Sequence, residues 1–279
     1  MSEPVGTGFT DVDAQEDPGR FVVAMDVTSQ WPAVRHLRVW ERVQLALQAG
    51  ERLLDVGCGH GAAAMALAGD LQPGGEVVGI DRSDEMLSAG RQAASTAGVA
   101  GVTFRNGDAL ALDEPDASFD AARSERTFQW LDDPAKAMAE LVRVVRPGGR
   151  LVVTDTDWRT FTSDHGDAEA FEAFIGGMHA MRGPSAGAGG MLRRLALDAG
   201  LVDVAVEVAT HVWDRWDPDT EPAPAGFLPL DVVTVQLVDA GLIDADLARR
   251  YVDGARDAAR RDRLFMTVTM VAVAGRKPA

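Results

Sequence analysis

Apolar positions along this chain fall into two kinds of run, and the two alternate. Short runs such as Leu53-Leu54-Asp55-Val56 and Val77-Val78-Gly79-Ile80 lie between turn residues. Runs of this length, closed by Gly or Asp, read as strands buried on both faces. The segments between them carry apolar residues three and four apart, the period of a helix packed on one side. Strands are predicted on this basis at 53–56, 77–81, 102–105, 119–123, 151–155, 202–209 and 265–274. The clearest helix follows Asp133-Pro134, a cap and a first position, with Met138, Leu141, Val142 and Val145 on one face. Arg146-Pro147-Gly148-Gly149 stops it. Ser83 caps another helix, and Asp84-Glu85 in its first turn match the helix dipole. Strands alternating with helices predict an α/β domain with helices on both faces of one sheet.

Three segments depart from that alternation. Residues 2–19 are rich in Gly, Pro, Asp and Glu and read as a loose leader. Residues 20–49 read as two short helices broken near Pro32, either covering a sheet edge or forming a lid. Residues 156–190 read as an inserted cap, with Phe171, Phe174, Ile175 and Met178 in a helical stripe, His179 on the same face, and a flexible linker at 183–190. Residues 191–279 complete the core, around a helical insertion at 211–262 whose second helix starts at Asp244.

The chemistry is concentrated where the 53–56 strand ends. Asp55-Val56-Gly57-Cys58-Gly59-His60-Gly61 runs into an Ala-rich helix at 62–68. Such a strand–turn–helix offers free N–H groups and close backbone approach to a ligand. Gly57-x-Gly59-x-x-Ala62 also satisfies a loose dinucleotide fingerprint. Asp55 weighs against that reading, since its carboxylate would repel a pyrophosphate and tolerate a cationic ligand. Asp81, at the end of the second strand, can accept both hydroxyls of a ribose. Asp108, after the third, can accept from an adenine amino group. Met86 can pack on an adenine face or serve simply as core.

Composition narrows the partners. The formal net charge is −16, from 43 acidic and 27 basic side chains, so a nucleic-acid partner is not expected. Cys58 is the only cysteine, which excludes an intrachain disulfide and a cysteine metal cluster; no metal is expected. No apolar run approaches the ~18 residues of a membrane helix. The N-terminus has no signal-peptide core, so a cytoplasmic protein without membrane contact is expected.

The glycine turn, Asp81, Gly107-Asp108-Ala109, Ser118-Phe119-Asp120 and Arg146-Pro147-Gly148-Gly149 stand in one order across residues 50–155. This set resembles the class I S-adenosylmethionine-dependent methyltransferases of the ubiquinone/menaquinone C-methyltransferase-like (methyltransferase type 11) group. The resemblance implies a Rossmann-like, seven-stranded, mostly parallel sheet with an antiparallel last strand, carrying helical lid insertions. It implies S-adenosyl-L-methionine as cofactor and a small-molecule methyl acceptor. The expected cofactor residues are Asp55, Gly57, Cys58, Gly59, Gly61, Asp81, Arg82, Met86, Gly107, Asp108, Ala109 and Ser124, with Arg35 or His36 from the lid near the cofactor carboxylate. Gln129, Trp130, Trp158 and His179 are expected to contact the acceptor. Six tryptophans suggest that it is apolar or aromatic. His165, His179, Glu125 and Asp157 are candidate bases, none singled out by a motif. Transfer to C, O or N stays open, as do quinone methylation and the oligomeric state. Two other classes stay open as well: a protein that binds S-adenosylmethionine without methyl transfer (a pericyclase or regulatory subunit), and an NAD-dependent oxidoreductase. The latter is disfavoured because Tyr251, the only tyrosine, has no Lys four residues on.

Overall fold

A computed structural model describes residues 11–164, 166–227 and 229–279. In chain order the elements are α1 (Gly19–Ser29), α2 (Pro32–Leu45), β1 (Arg52–Val56), α3 (Ala62–Ala68), β2 (Glu76–Asp81), α4 (Asp84–Ala97), β3 (Val102–Asn106) and β4 (Phe119–Glu125). They continue with α5 (Pro134–Val144), β5 (Val145–Asp164), α6 (Ala168–Arg182), α7 (Ala188–Asp198), β6 (Val202–Trp213), α8 (Leu230–Asp239), α9 (Ala245–Arg260) and β7 (Phe265–Arg276). The strands form one sheet in the order β3-β2-β1-β4-β5-β7-β6. β1 pairs in parallel with β2 and β4, β2 with β3, and β4 with β5. β7 runs antiparallel to both β5 and β6.

Strand alternation builds two cores from the same few strands. Leu53, Val77, Ala121 and Val152 face the layer holding Leu67, Leu87 and Phe104. Leu54, Val78, Ala122 and Val153 face the layer holding Met138, Leu141 and Leu192. A third core, around Leu37, Phe161, Phe174, Tyr251 and Met266, ties α2, α6, α8 and α9 to the far half of β5 and β7. Ser83 and Asp133 cap α4 and α5, each accepting a hydrogen bond from the backbone N–H three residues on.

Three expectations are corrected. The fifth strand does not stop at Asp155; it continues to Asp164, because β7 pairs along its whole length, past a bulge between Asp157 and Thr162. Residues 156–164 therefore belong to the sheet, and the cap is reduced to α6 and the short turn that joins it to α7. The 183–190 stretch is not a linker. A short tight helix occupies Gly183–Gly187 and α7 begins at Ala188. Gly189 serves close packing: a Cβ on it would lie 2.8 Å from the Asp155 carbonyl oxygen and 2.9 Å from the Asp157 nitrogen. Finally, the end of the leader is packed. Val12 is buried with Phe21 and Met86. The Asp13 carboxylate accepts from the Ser83 hydroxyl and, at 2.8 Å, from the Asp84 N–H. Among the described residues no helix is long and apolar enough to cross a membrane.

Candidate active site

The direction of strand addition reverses between β1 and β4, and ligands of open α/β sheets bind at the carboxyl ends on either side of such a point. The glycine turn leaves β1 there. Its N–H groups are already committed. Gly57 and Cys58 donate to the Ile80 carbonyl at 2.8 and 3.0 Å, and Gly59 donates to Asp81 Oδ2 at 2.8 Å. The turn is thus laced to the end of β2 instead of offering three free donors to a phosphate. Gly59 sits at φ +53°, and a Cβ there would lie 2.3 Å from the Met25 methyl carbon. The left-handed φ favours glycine there, and α1 closes over the turn with Met25 in the space a side chain would take. Asp26 of α1 lies 2.9 Å from His60 Nε2, and Arg126 bonds the Thr28 hydroxyl.

A cavity of about 670 Å³ lies between the turn and α1, within the range of small-molecule sites. On the β1–β3 side it is lined by Gly57, Gly59, Asp81, Arg82 and Met86, with Gly107, Asp108 and Ala109. Phe21, Met25, Thr28 and Trp31 line it from α1 and the turn behind it. The β4–β5 side contributes Gln129, Trp130, Thr156, Trp158 and Arg182, and a loop before α8 adds Phe227. Asp81 also accepts the Ser83 N–H at 3.0 Å, and burial pushes its carboxyl up. Each oxygen of that carboxylate keeps lone-pair capacity for a ligand hydroxyl.

The other expected residues lie elsewhere. Cys58 borders a smaller adjoining cavity, and burial raises its thiol well above the ordinary range, which does not suit a nucleophile. Gly61 packs against Phe104. Ser124 is buried in the sheet, outside the cavity lining. Asp55 is fully buried and faces Arg123 at 2.8 Å, so its charge is spent inside the protein and does not repel a ligand phosphate. Arg35 is exposed and does not line the cavity, and His36 reaches Glu207 of β6. The buried stripe of α2, Val34, Leu37, Glu41 and Leu45, puts Arg38 at its border and leaves Arg35 outside. His179 does not line the cavity either; its Nε2 lies 3.2 Å from the Trp158 carbonyl oxygen.

The candidate bases fare no better. Burial pushes the Glu125 carboxyl up, but the Arg38 hydrogen bond and the charges of Arg126, Arg38 and Arg123 outweigh it and hold it well below the usual range. Asp157 is bound by Arg159 through Nε at 3.0 Å and Nη2 at 2.9 Å. His165 lies outside the described residues.

The principal residues missed from sequence belong to a buried ion network and to the far wall. Arg123, 2% exposed, bonds Glu41, Asp55 and Glu125, and Arg38 grips Glu125 at 2.7 and 2.8 Å. An arginine inside a buried strand was a legible signal, since such charges survive only when paired. Arg182 had none. At the end of α6 its guanidinium carbon lies 4.9 Å from the Trp130 ring centre and 4.4 Å from that of Trp158. Burial lowers its pKa to about 10, partly offset by Asp155. Asp155 is itself buried, its carboxyl pushed up to about 7 by desolvation despite the Thr156 and Gln129 N–H groups bonded to it.

Comparison with known proteins gives this geometry a context. Residues 47–178 match the methyltransferase domain family. A 37.1 kDa protein of transposon Tn4556 from Streptomyces fradiae is 38% identical over 73% of this chain and 57% of its own length. A demethylmenaquinone methyltransferase from Thermus thermophilus is 44% identical over 42% of this chain and 53% of its own. The chain thus spans about half the length of the curated relatives it matches. The solved YcgJ protein of Bacillus subtilis shares the fold with a TM-score of 0.60 at 20% identity, over 88% of this chain and 99% of that one.

Proposed function

We propose that the chain, whose residues 47–178 match the methyltransferase domain family, is a methyltransferase of the class I S-adenosylmethionine-dependent type and transfers a methyl group from S-adenosylmethionine to a small apolar or aromatic acceptor. The observation that carries this reading is Asp81. Its carboxylate lines the cavity at the end of β2 while holding the glycine turn through Gly59. An acceptor of two hydroxyls beside a turn whose first N–H groups are already used fits a nucleoside that carries no phosphate.

In this reading Asp81 holds the ribose, and Asp108 with Ala109 and Met86 holds the base. α1 excludes water above the turn. When bound, the cofactor supplies a methyl group already activated by positive charge on sulfur. The task left to the chain is to hold the acceptor in line with it in a dry pocket, and such positioning alone can supply about 7–11 kcal/mol. Trp130, Trp158 and Phe227 form an aromatic wall suited to a flat acceptor. Relatives named for quinone substrates cover 42% of this chain in the Thermus case, and the aromatic character of the acceptor rests on this wall.

Titration calorimetry tests the cofactor half. S-adenosylhomocysteine should bind at micromolar level and NAD should not. NAD binding the tighter of the two would overturn the reading. Incubation with methyl-labelled S-adenosylmethionine and a panel of phenols, hydroquinones and aromatic amines tests transfer. Tight cofactor binding with no labelled product from a host extract would leave a binding protein instead of an enzyme.

A further inference from the structure

Arg182 is the group that the proposed function leaves unused. Its Nε and Nη1 are buried and have no hydrogen-bond acceptor. Those two nitrogens carry three N–H bonds, and leaving such donors dry is costly unless a ligand completes them. The residue lines the cavity beside Trp130, Trp158 and Gln129. The polar acceptors on the surrounding residues each hold another partner, and none of them bonds Arg182 Nε or Nη1. Gln129 Oε1 accepts the Trp158 indole N–H at 2.7 Å. The Trp158 carbonyl oxygen is 3.2 Å from His179 Nε2. Asp155 Oδ1 accepts the Thr156 N–H at 2.7 Å, and its Oδ2 accepts the Gln129 N–H at 3.2 Å. The two indole rings attract the cation but offer no lone pair in the plane of its donors.

Charge points the same way. Arg126, the other arginine on this wall, is already paired with Glu125 at 3.2 Å. Asp155 sits close enough to influence Arg182, but its own carboxyl is pushed up to about 7, so it neutralises the guanidinium only in part near neutrality. The remainder of this wall is aromatic and apolar.

We propose that Arg182 is the acceptor-anchoring cation of the site: the methyl acceptor is an aromatic molecule bearing an anionic oxygen, carboxylate or phenolate, received by Arg182 between Trp130 and Trp158. The proposal rests on the methyltransferase reading for the word acceptor, but the anion site itself does not depend on it. Arg182 selects for charge, and the tryptophans supply the flat walls.

Calorimetry with 1-hydroxy-2-naphthoate and its methyl ester, each titrated into the full chain saturated with S-adenosylhomocysteine, tests this. The acid should bind at least tenfold tighter than the ester. Arg182→Met should lose at least tenfold for the acid and change the ester less than threefold, while Arg182→Lys, which keeps the charge, recovers part of the loss. Circular dichroism and the affinity for S-adenosylhomocysteine check that each variant is folded. Equal binding of acid and ester, binding of neither, or undiminished binding of the acid by Arg182→Met would each overturn the proposal. If S-adenosylhomocysteine itself does not bind, the methyltransferase reading falls. The same titrations without it then read the anion preference alone, by the same criteria.

Discussion

Asp81 shows how much one side chain can carry. It closes β2, pins the glycine turn through Gly59, bonds the Ser83 N–H and faces the cavity. Asp81→Ala should weaken S-adenosylhomocysteine binding at least tenfold in calorimetry, since hydrogen bonds to a charged group contribute ~1.5–3 kcal/mol each. An unchanged dissociation constant would place the ribose elsewhere. Asp155 makes a prediction about pH. Its carboxyl is raised from 3.8 to about 7 by burial. Between those values the folded state holds a proton that the unfolded state has released. Its contribution is therefore fully present below pH 3.8 and is lost as pH rises to about 7. The slope is about −1.4 kcal/mol per pH unit over that window. Asp155→Asn has no proton to lose. In urea denaturation, the stability of that variant relative to the parent should rise from pH 5 to pH 7 by about 2 kcal/mol, levelling off above it. A pH-independent difference would show that Asp155 stays ionised.

At the scale of elements, glycine-rich stretches separate into two kinds. The turn after β1 has glycines that admit a neighbouring helix, as Gly59 admits Met25. The stretch before α7 looks like a hinge in sequence and is packing in fact, because α7 lies against the β5 backbone at Gly189. Gly189→Ala should therefore destabilise the fold by about 1–3 kcal/mol, as overpacking does, measured by the denaturation midpoint. A neutral outcome would restore the hinge. The legible elements were those with local signals, the caps at Ser83, Asp133 and Asp244. The extension of β5 to Asp164 was not legible. It depends on β7, more than a hundred residues away in sequence.

α1 is the segment that both roofs the cavity and latches to the turn, through Asp26 to His60 and Thr28 to Arg126. If it opens to admit ligand, amide exchange in residues 19–29 should slow on adding S-adenosylhomocysteine, while β1 and β4 stay protected throughout. Equal protection with and without ligand would mean a fixed roof. α6 and α7 should change little, since the close packing at Gly189 ties α7 to β5.

The sequence by itself determined the core strands, the turn and the strand-end acids, because these are written in neighbouring residues: apolar runs, glycines at fixed spacing, Asp81 directly after Ile80. The tertiary structure alone decided which charges face the cavity and which face one another. Asp55 and Asp81 look alike in sequence, each an acid in or at the end of an apolar run. Yet Asp55 meets Arg123 from β4, while Asp81 meets the Gly59 N–H and the cavity. Arg35 and Arg38 differ by three residues on one helix, and the packing angle of α2 sends only Arg38 to Glu125. Arg182 carried no signal at all. Its meaning comes from β5 and the loop after β4, which bring Trp158 and Trp130 to it across more than twenty and fifty residues of chain. A buried charge is defined by its partners, and partners that far apart in sequence are chosen only when the chain folds.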